Sequence, residues 1–245
     1  KTGHGGTLDP MAEGLLPIFI GKATRIMEYL DLDYKTYECT ARLGIATDTQ
    51  DVWGNVLKTY ETCSITADDI EKALCSFEGD IEQIPPRYSA VKLNGRKLYE
   101  YARAGETVEI KPRKVHIEKL EICGIDMENM EVSFKIKCSK GTYVRTVCSD
   151  LGEILGCGAV LTYLKRTASG IFNLDSSVSP EVLKTMAREQ VEKMLIPTDL
   201  PLVNLGKITM NKDRTRYFSM GNSIRWHQVK KIYEPSYKGE MKNHR

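Results

Sequence analysis

The chain has 245 residues, of which 41% are apolar and 28% charged, and a formal net charge of +2. That length can bury a full core and suits one large domain, or a large one joined to a small one. The composition excludes a fibrous or low-complexity chain, and no apolar run approaches the roughly 18 residues of a membrane span.

In chain order, "GHGGTLDPMAEG" is a glycine-rich loop, after which "GLLPIFIG" reads as a buried strand and "KATRIMEYL" as a short helix. "KTYECTARLG" is strand-like, "TDTQDVWGN" a polar turn, and "VLKTYE" a further strand. Thr66 reads as the N-cap of a helix from Ala67 to Phe77, with Ile70, Ala73, Leu74 and Phe77 on one face. "EQIPPRYSAVKLNGRKLYEYARAGE" mixes two prolines, an Asn-Gly turn and a short helical piece, the pattern of a projecting insertion. Strands follow in "KVHIEKLEICGI" and "MEVSFKIKC", the second with Val132, Phe134, Ile136 and Cys138 in alternation. "SKGTYVRT" turns into a helix across "VCSDLGEIL", "GAVLTYLKRTASGIF" gives more strand, and Ser179 caps a helix opened by Pro180. "LIPTDLPLVNL" is a linker into a basic tail. Strands and helices do not alternate in a βαβ rhythm, and no phosphate-loop or dinucleotide glycine pattern appears. The class is α+β with a mixed, mostly antiparallel sheet.

Seven irregularly spaced cysteines without a CxxC pair read as free thiols in a reducing cytosol, and four scattered histidines do not build a zinc site. No signal-peptide pattern opens the chain, and the free thiols make a cytoplasmic protein the expectation. Charge is unevenly placed: residues 84–119 carry a local +5 and residues 207–245 a local +7, leaving the remainder near −10. Two basic stretches on an acidic body point to a polyanion, with solvated surface lysines as the plainer reading. Interleaved aromatics (Tyr88, Tyr99, Tyr101, Tyr217, Trp226, Tyr233 and Tyr237) favour RNA, because bases stack on such rings.

Asp9 follows the glycines and precedes Pro10, which biases it away from helix. Tyr143 and Arg145 stand two apart in "KGTYVRT" and share a face in extended backbone, while Tyr37 lies in a strand that can border the same cleft. An arginine beside a carboxylate orients it, and a carboxylate so held can act as a nucleophile at a sugar carbon. A turn-capping aspartate and a structural arginine are the other reading of this spacing.

"GHGGTLDPMAEGLLPIFIGKATR", "LGIATDTQD", "IEQIPPRYSAVKLNGRKLYEYAR" and "CSKGTYVRTVCSDLGEILGCGAVLTYLKRTASGIF" together resemble, in order from Lys1 to Phe172, the bacterial tRNA pseudouridine(55) synthases of the TruB family. The resemblance implies the pseudouridine synthase fold and an isomerase that converts one uridine in the T-loop of tRNA, with no cofactor and no metal. By its motifs Asp9 is the catalytic aspartate, attacking either C1′ of the ribose or C6 of the base. Tyr143 helps remove the C5 proton and Arg145 pairs with the aspartate. Tyr37 stacks on the target base, Leu164 is an apolar contact in the pocket, and His4 enters the RNA where the flipped base had been. Taken alone, a histidine in a glycine loop reads more readily as structural. Asp51 matches an acid of the family's second motif, and a turn-stabilising contact is an equal reading.

The resemblance also implies a catalytic domain over residues 1–200 with an RNA-clasping insertion at 84–105, and a partial PUA-like RNA-binding region over 201–245. A family segment with a Lys-Pro motif is expected ahead of Lys1. The partner is the tRNA T-arm, with no membrane and no protein partner, and the enzyme is expected as a monomer. A guide-RNA-dependent pseudouridine synthase shares the "TLDP" and "GTYVRT" motifs, but the long insertion and short tail favour the stand-alone enzyme. A non-catalytic tRNA-binding or folding module would need the basic stretches without Asp9, Tyr143 and Arg145.

Overall fold

Alternation builds the central strand, Tyr34–Leu43, in which Tyr37, Cys39, Ala41 and Leu43 are buried while Glu38 and Arg42 face solvent. The strand Glu131–Ser139 does the same with Val132, Phe134, Ile136 and Cys138. The two pair antiparallel, Cys39 opposite Phe134 and Tyr37 opposite Ile136. The computed structural model describes residues 1–233 apart from 31, 63 and 203, so Cys63 and Tyr237 lie outside the described residues. In it the sheet runs Phe172–Asn173, Ala159–Ser169, Tyr34–Leu43, Glu131–Ser139, Arg113–Asp126, Gly79–Gln83. Those neighbours are antiparallel, and the two-residue strand Glu13–Gly14 adds parallel to Ala159–Ser169. This is the mixed, mostly antiparallel α+β sheet that the sequence implies.

Two helices cover the inner face. Ala67–Cys75 begins in a capping box between Thr66 and Asp69 and buries Ile70, Ala73 and Leu74. It ends two residues short of the expected Phe77, which is buried just past the Ser76 C-cap. Val144–Ile154 buries Val144, Val147, Cys148 and Leu151 in the same core.

Strand Ala159–Ser169 departs from plain alternation. Its ladder with Tyr34–Leu43 slips between Leu161 and Tyr163 and again between Arg166 and Ala168. A bulge inserts one residue and resets which side chains face inward. Leu161, Leu164 and Arg166 therefore all become buried, though Leu161 stands three residues before Leu164.

Three local expectations are corrected. "GLLPIFIG" is not one buried strand, because Pro17 has no N–H for a ladder. The chain forms two short strands, Glu13–Gly14 and Ile18–Ile20, and leaves Ile18 and Ile20 more than half exposed around a buried Phe19. "KATRIMEYL" forms two 3-10 turns, Gly21–Arg25 and Met27–Tyr29; neither has a side-chain cap or a buried residue to extend it. Tyr143 and Arg145 do not share an extended backbone, since Tyr143 is the N-cap and Arg145 already lies in the first turn of helix Val144–Ile154.

The insertion is a hairpin of Lys92–Leu93 and Arg96–Lys97 followed by helix Leu98–Arg103. Asn94 and Gly95 turn it with φ of 51° and 84°, the left-handed pair that a two-residue hairpin needs. By internal packing the described chain separates into two units: Gly3–Ile18 with Leu32–Ser177, and Lys1–Thr2 with Phe19–Asp31 and Val178–Arg245. The second holds helices Pro180–Thr185, capped by Ser179, Arg188–Met194 and Lys212–Ser219, and a hairpin of Lys207–Thr209 with Lys231–Tyr233. Among the described residues no helix is long and apolar enough to cross a membrane.

Candidate active site

All six residues singled out from the sequence lie in the first unit, and Asp9 and Arg145 meet directly. Arg145 Nε donates to Asp9 Oδ2 at 2.8 Å and Nη2 to Oδ1 at 3.2 Å, a bidentate, charge-assisted pair. The guanidinium is 4% exposed and the carboxylate 30%, so the acid faces outward from a buried anchor.

The same guanidinium reaches two further segments. Nη1 donates to the Thr49 carbonyl at 2.9 Å and Nη2 to the Tyr88 carbonyl at 3.2 Å. Asp51 Oδ2 lies 3.6 Å from Nη1. Asp51 is also an Asx-type turn acceptor, taking the Thr49 hydroxyl at 2.7 Å and the Trp53 N–H at 3.0 Å on Oδ1. The turn-stabilising reading of Asp51 is thus the one seen in the geometry, with Arg145 close by. The turn is fixed at Gln50, whose φ is +64° and whose side chain accepts from the Thr146 hydroxyl.

Tyr143 is half-buried, and its backbone is gripped by Gln83: the Tyr143 N–H donates to Oε1 at 2.8 Å, and Nε2 donates to the Tyr143 carbonyl at 3.1 Å. The buried Gln83 amide thereby completes the start of the helix that carries Arg145. Leu164 is buried opposite Cys39, in the layer next to Tyr37. His4 is exposed on the short strand Thr2–His4 and joins Asp9 only through the loop. Burial pushes the Tyr37 phenol up to about 12, while the positive charge of the Arg166 guanidinium pulls the other way. Tyr37 therefore stays neutral at ordinary pH.

Sequence reasoning missed Gln83 and Arg166. Arg166 is fully buried and donates to the carbonyls of Leu15 at 2.8 Å, Thr7 at 3.3 Å and Gly6 at 3.1 Å, on both sides of Asp9. The signal was a Lys165–Arg166 pair of charges inside a largely apolar and β-branched run, "GAVLTYLKRTAS". In the insertion, Arg96 lies 4.3 Å from the centre of the Tyr101 ring and Arg103 5.4 Å from that of Tyr99, so one face of each ring is already taken by a cation. Among the described residues, no group of three or more His, Cys, Asp or Glu is placed to hold a metal.

Residues 1–144 match the family described as TruB family pseudouridylate synthase (N terminal domain). The chain belongs to this family. Residues 145–203 match its companion, the tRNA pseudouridylate synthase B C-terminal domain. A protein of Alkaliphilus oremlandii named tRNA pseudouridine synthase B is 46% identical over 224 residues, covering 91% of this chain and 73% of its own length. One of Clostridioides difficile with the same name is 43% identical over 227 residues, 91% of this chain and 75% of its own. Among solved structures, a chain from a Cbf5–Nop10–Gar1 complex superposes with a TM-score of 0.67 at 26% identity. The match covers 95% of this chain but only 62% of that one.

Proposed function

We propose that this TruB-family chain is a tRNA pseudouridine synthase that isomerises uridine 55 of the T-loop, working as a cytoplasmic monomer without cofactor. The observation that carries the reading is the bidentate Arg145–Asp9 pair: a partly buried carboxylate on a glycine-rich loop, oriented by a buried cation. Asp9 supplies the nucleophile, at C1′ or at C6. Attack at C1′ displaces N1, the base turns, and C5 then takes C1′ from the carboxylate; attack at C6 instead adds Asp9 to the base, the C1′–N1 bond breaks and a C1′–C5 bond forms, and elimination frees Asp9. By either route C5 loses its proton, with Tyr143 assisting, and N1 gains one. Tyr37 stacks on the base, Leu164 lines the pocket and His4 takes the space left in the RNA.

Extrusion of the uridine costs a few kcal/mol, and stacking on an aromatic returns about 1–3 kcal/mol. Tyr37 is only 9% exposed, so a base reaches it when a neighbouring segment moves. We assign that movement to the insertion at 84–105, which Arg145 holds through a single contact to the Tyr88 carbonyl. The basic stretch 201–245 serves as a further RNA contact. Identity of 46% to a protein named tRNA pseudouridine synthase B, against 26% to a chain from a Cbf5–Nop10–Gar1 complex, supports the stand-alone reading over a guide-RNA-dependent one.

The test is tritium release from unmodified tRNA labelled at uridine C5, since C5 loses its hydrogen only when the base is reattached there. Wild type should release tritium, and Asp9→Asn should not, while tRNA binding stays close to wild type. Turnover by Asp9→Asn would remove Asp9 from its role, and binding without release by either protein would leave a tRNA-binding module.

A further inference from the structure

The structure assigns to Arg166 the positioning of the Asp9 loop against Tyr37, a role that rests on the proposed function for its catalytic meaning. Arg166 is the largest fully buried side chain among the described residues. A buried guanidinium is costly unless its donors are satisfied. Here they are spent on one loop. Nε donates to the Leu15 carbonyl, Nη1 to that of Thr7 and Nη2 to that of Gly6.

The contacts bracket Asp9 on both sides along the chain. The backbone closes the clamp, because the Leu15 N–H donates to the Arg166 carbonyl at 2.8 Å. Gly14 makes that approach possible: a Cβ there would stand 2.3 Å from the Arg166 carbonyl oxygen. Tyr37 is the ladder partner of Arg166 on the neighbouring strand. The planar fork therefore holds the nucleophile's loop, and the strand pairing sets the root of that fork beside the stacking ring. Arg145 orients the carboxylate, whereas Arg166 sets where its backbone stands. A lysine keeps the charge but offers no fork, so it cannot hold both ends of the loop.

Arg166→Lys and Arg166→Met test this against wild type, each first checked for wild-type circular dichroism. Three quantities are measured: hydrogen exchange in peptides covering residues 5–15, tRNA affinity, and single-turnover tritium release at saturating tRNA. Expected is faster exchange confined to residues 5–15, nearly unchanged affinity, and a single-turnover rate lower by about 100-fold, the size of loss that a misplacement near 1 Å produces. An unchanged rate in a folded variant, or faster exchange spread evenly over the sheet, would overturn the assignment. Wild type gives an arm that needs no variant to fold: the Leu15 amide, which donates to the Arg166 carbonyl, and the Ala12 amide, which donates to that of Asp9, should exchange slowly, and fast exchange at both would sink the idea. If wild type releases no tritium, the synthase reading fails while the exchange data still decide whether Arg166 holds the loop.

Discussion

The two faces of the central sheet handle charge in opposite ways. On the inner face, Arg145 is 4% exposed and Arg166 wholly buried; Arg145 spends its donors on the Asp9 carboxylate and on two carbonyls, Arg166 on three carbonyls, all from loops distant in sequence. On the outer face, Lys137 pairs with Glu118 at 2.6 Å, Arg42 with Glu131, and Lys119 with Glu121, most of these side chains being substantially exposed. Water screens the outer pairs and would solvate either partner released from them. On the inner face nothing replaces a lost partner. Charge is thus structural on one side of the sheet and interchangeable on the other, and the reactive carboxylate stands on the structural side.

The sharpest break in that contrast is Arg145→Met. It leaves Asp9 and Asp51 without their cation and the Thr49 and Tyr88 carbonyls without a donor. Breaking a buried pair from one side costs about 3–5 kcal/mol, to be read from urea denaturation. Asp9→Asn in the same background should recover part of that loss. A cost below about 1 kcal/mol would place Arg145 with the outer pairs and undo the contrast.

A smaller effect sharpens it on the helix that carries Arg145. Burial, helped by the neighbouring Glu153 charge, pushes the Asp150 carboxyl up from 3.8 to about 6. A carboxyl raised in the folded state binds its proton more tightly there than in the unfolded chain. Stability is therefore lost as pH rises from 3.8 towards 6 and stays lost above it. Asp150→Asn should stabilise the fold by about 1 kcal/mol near neutral pH, after allowing for partial exposure. The gain should vanish once the pH falls below both values. Melting curves at neutral and acid pH decide it, and an equal gain at both would mean that something other than ionisation is at work.

How much of this was legible in the sequence follows the same divide. Alternation in Tyr34–Leu43 and Glu131–Ser139 reports burial residue by residue, so the sheet and its inner face could be read directly. Asp9, Tyr37 and Arg145 were found because they sit in motifs, and the structure joins Asp9 to Arg145. Arg166 was hidden by the bulge between Leu161 and Tyr163. Unbroken alternation from Leu161 would have turned Tyr163 and Lys165 inward and Arg166 to solvent. Tyr143 and Arg145 were given the wrong backbone for a related reason: the helix begins at Val144, just after Tyr143, whose peptide groups are held by Gln83, sixty residues away. Long-range polar contacts of this kind leave no local pattern.

The smallest expected effect belongs to the outer face. Lys137→Met removes the Glu118 pair, yet both side chains keep over 40% of their surface in water. Glu118 is then solvated instead of stranded, and the methionine stem retains most of the packing of the lysine methylenes. The change in unfolding free energy should lie within about 0.5 kcal/mol, and added salt should shrink whatever remains. Because Lys137 points away from the face that bears Asp9, tritium release at saturating tRNA should match wild type. A large loss of stability would show that the outer pairs act as a network bracing the sheet, and the two faces would then differ in degree and not in kind.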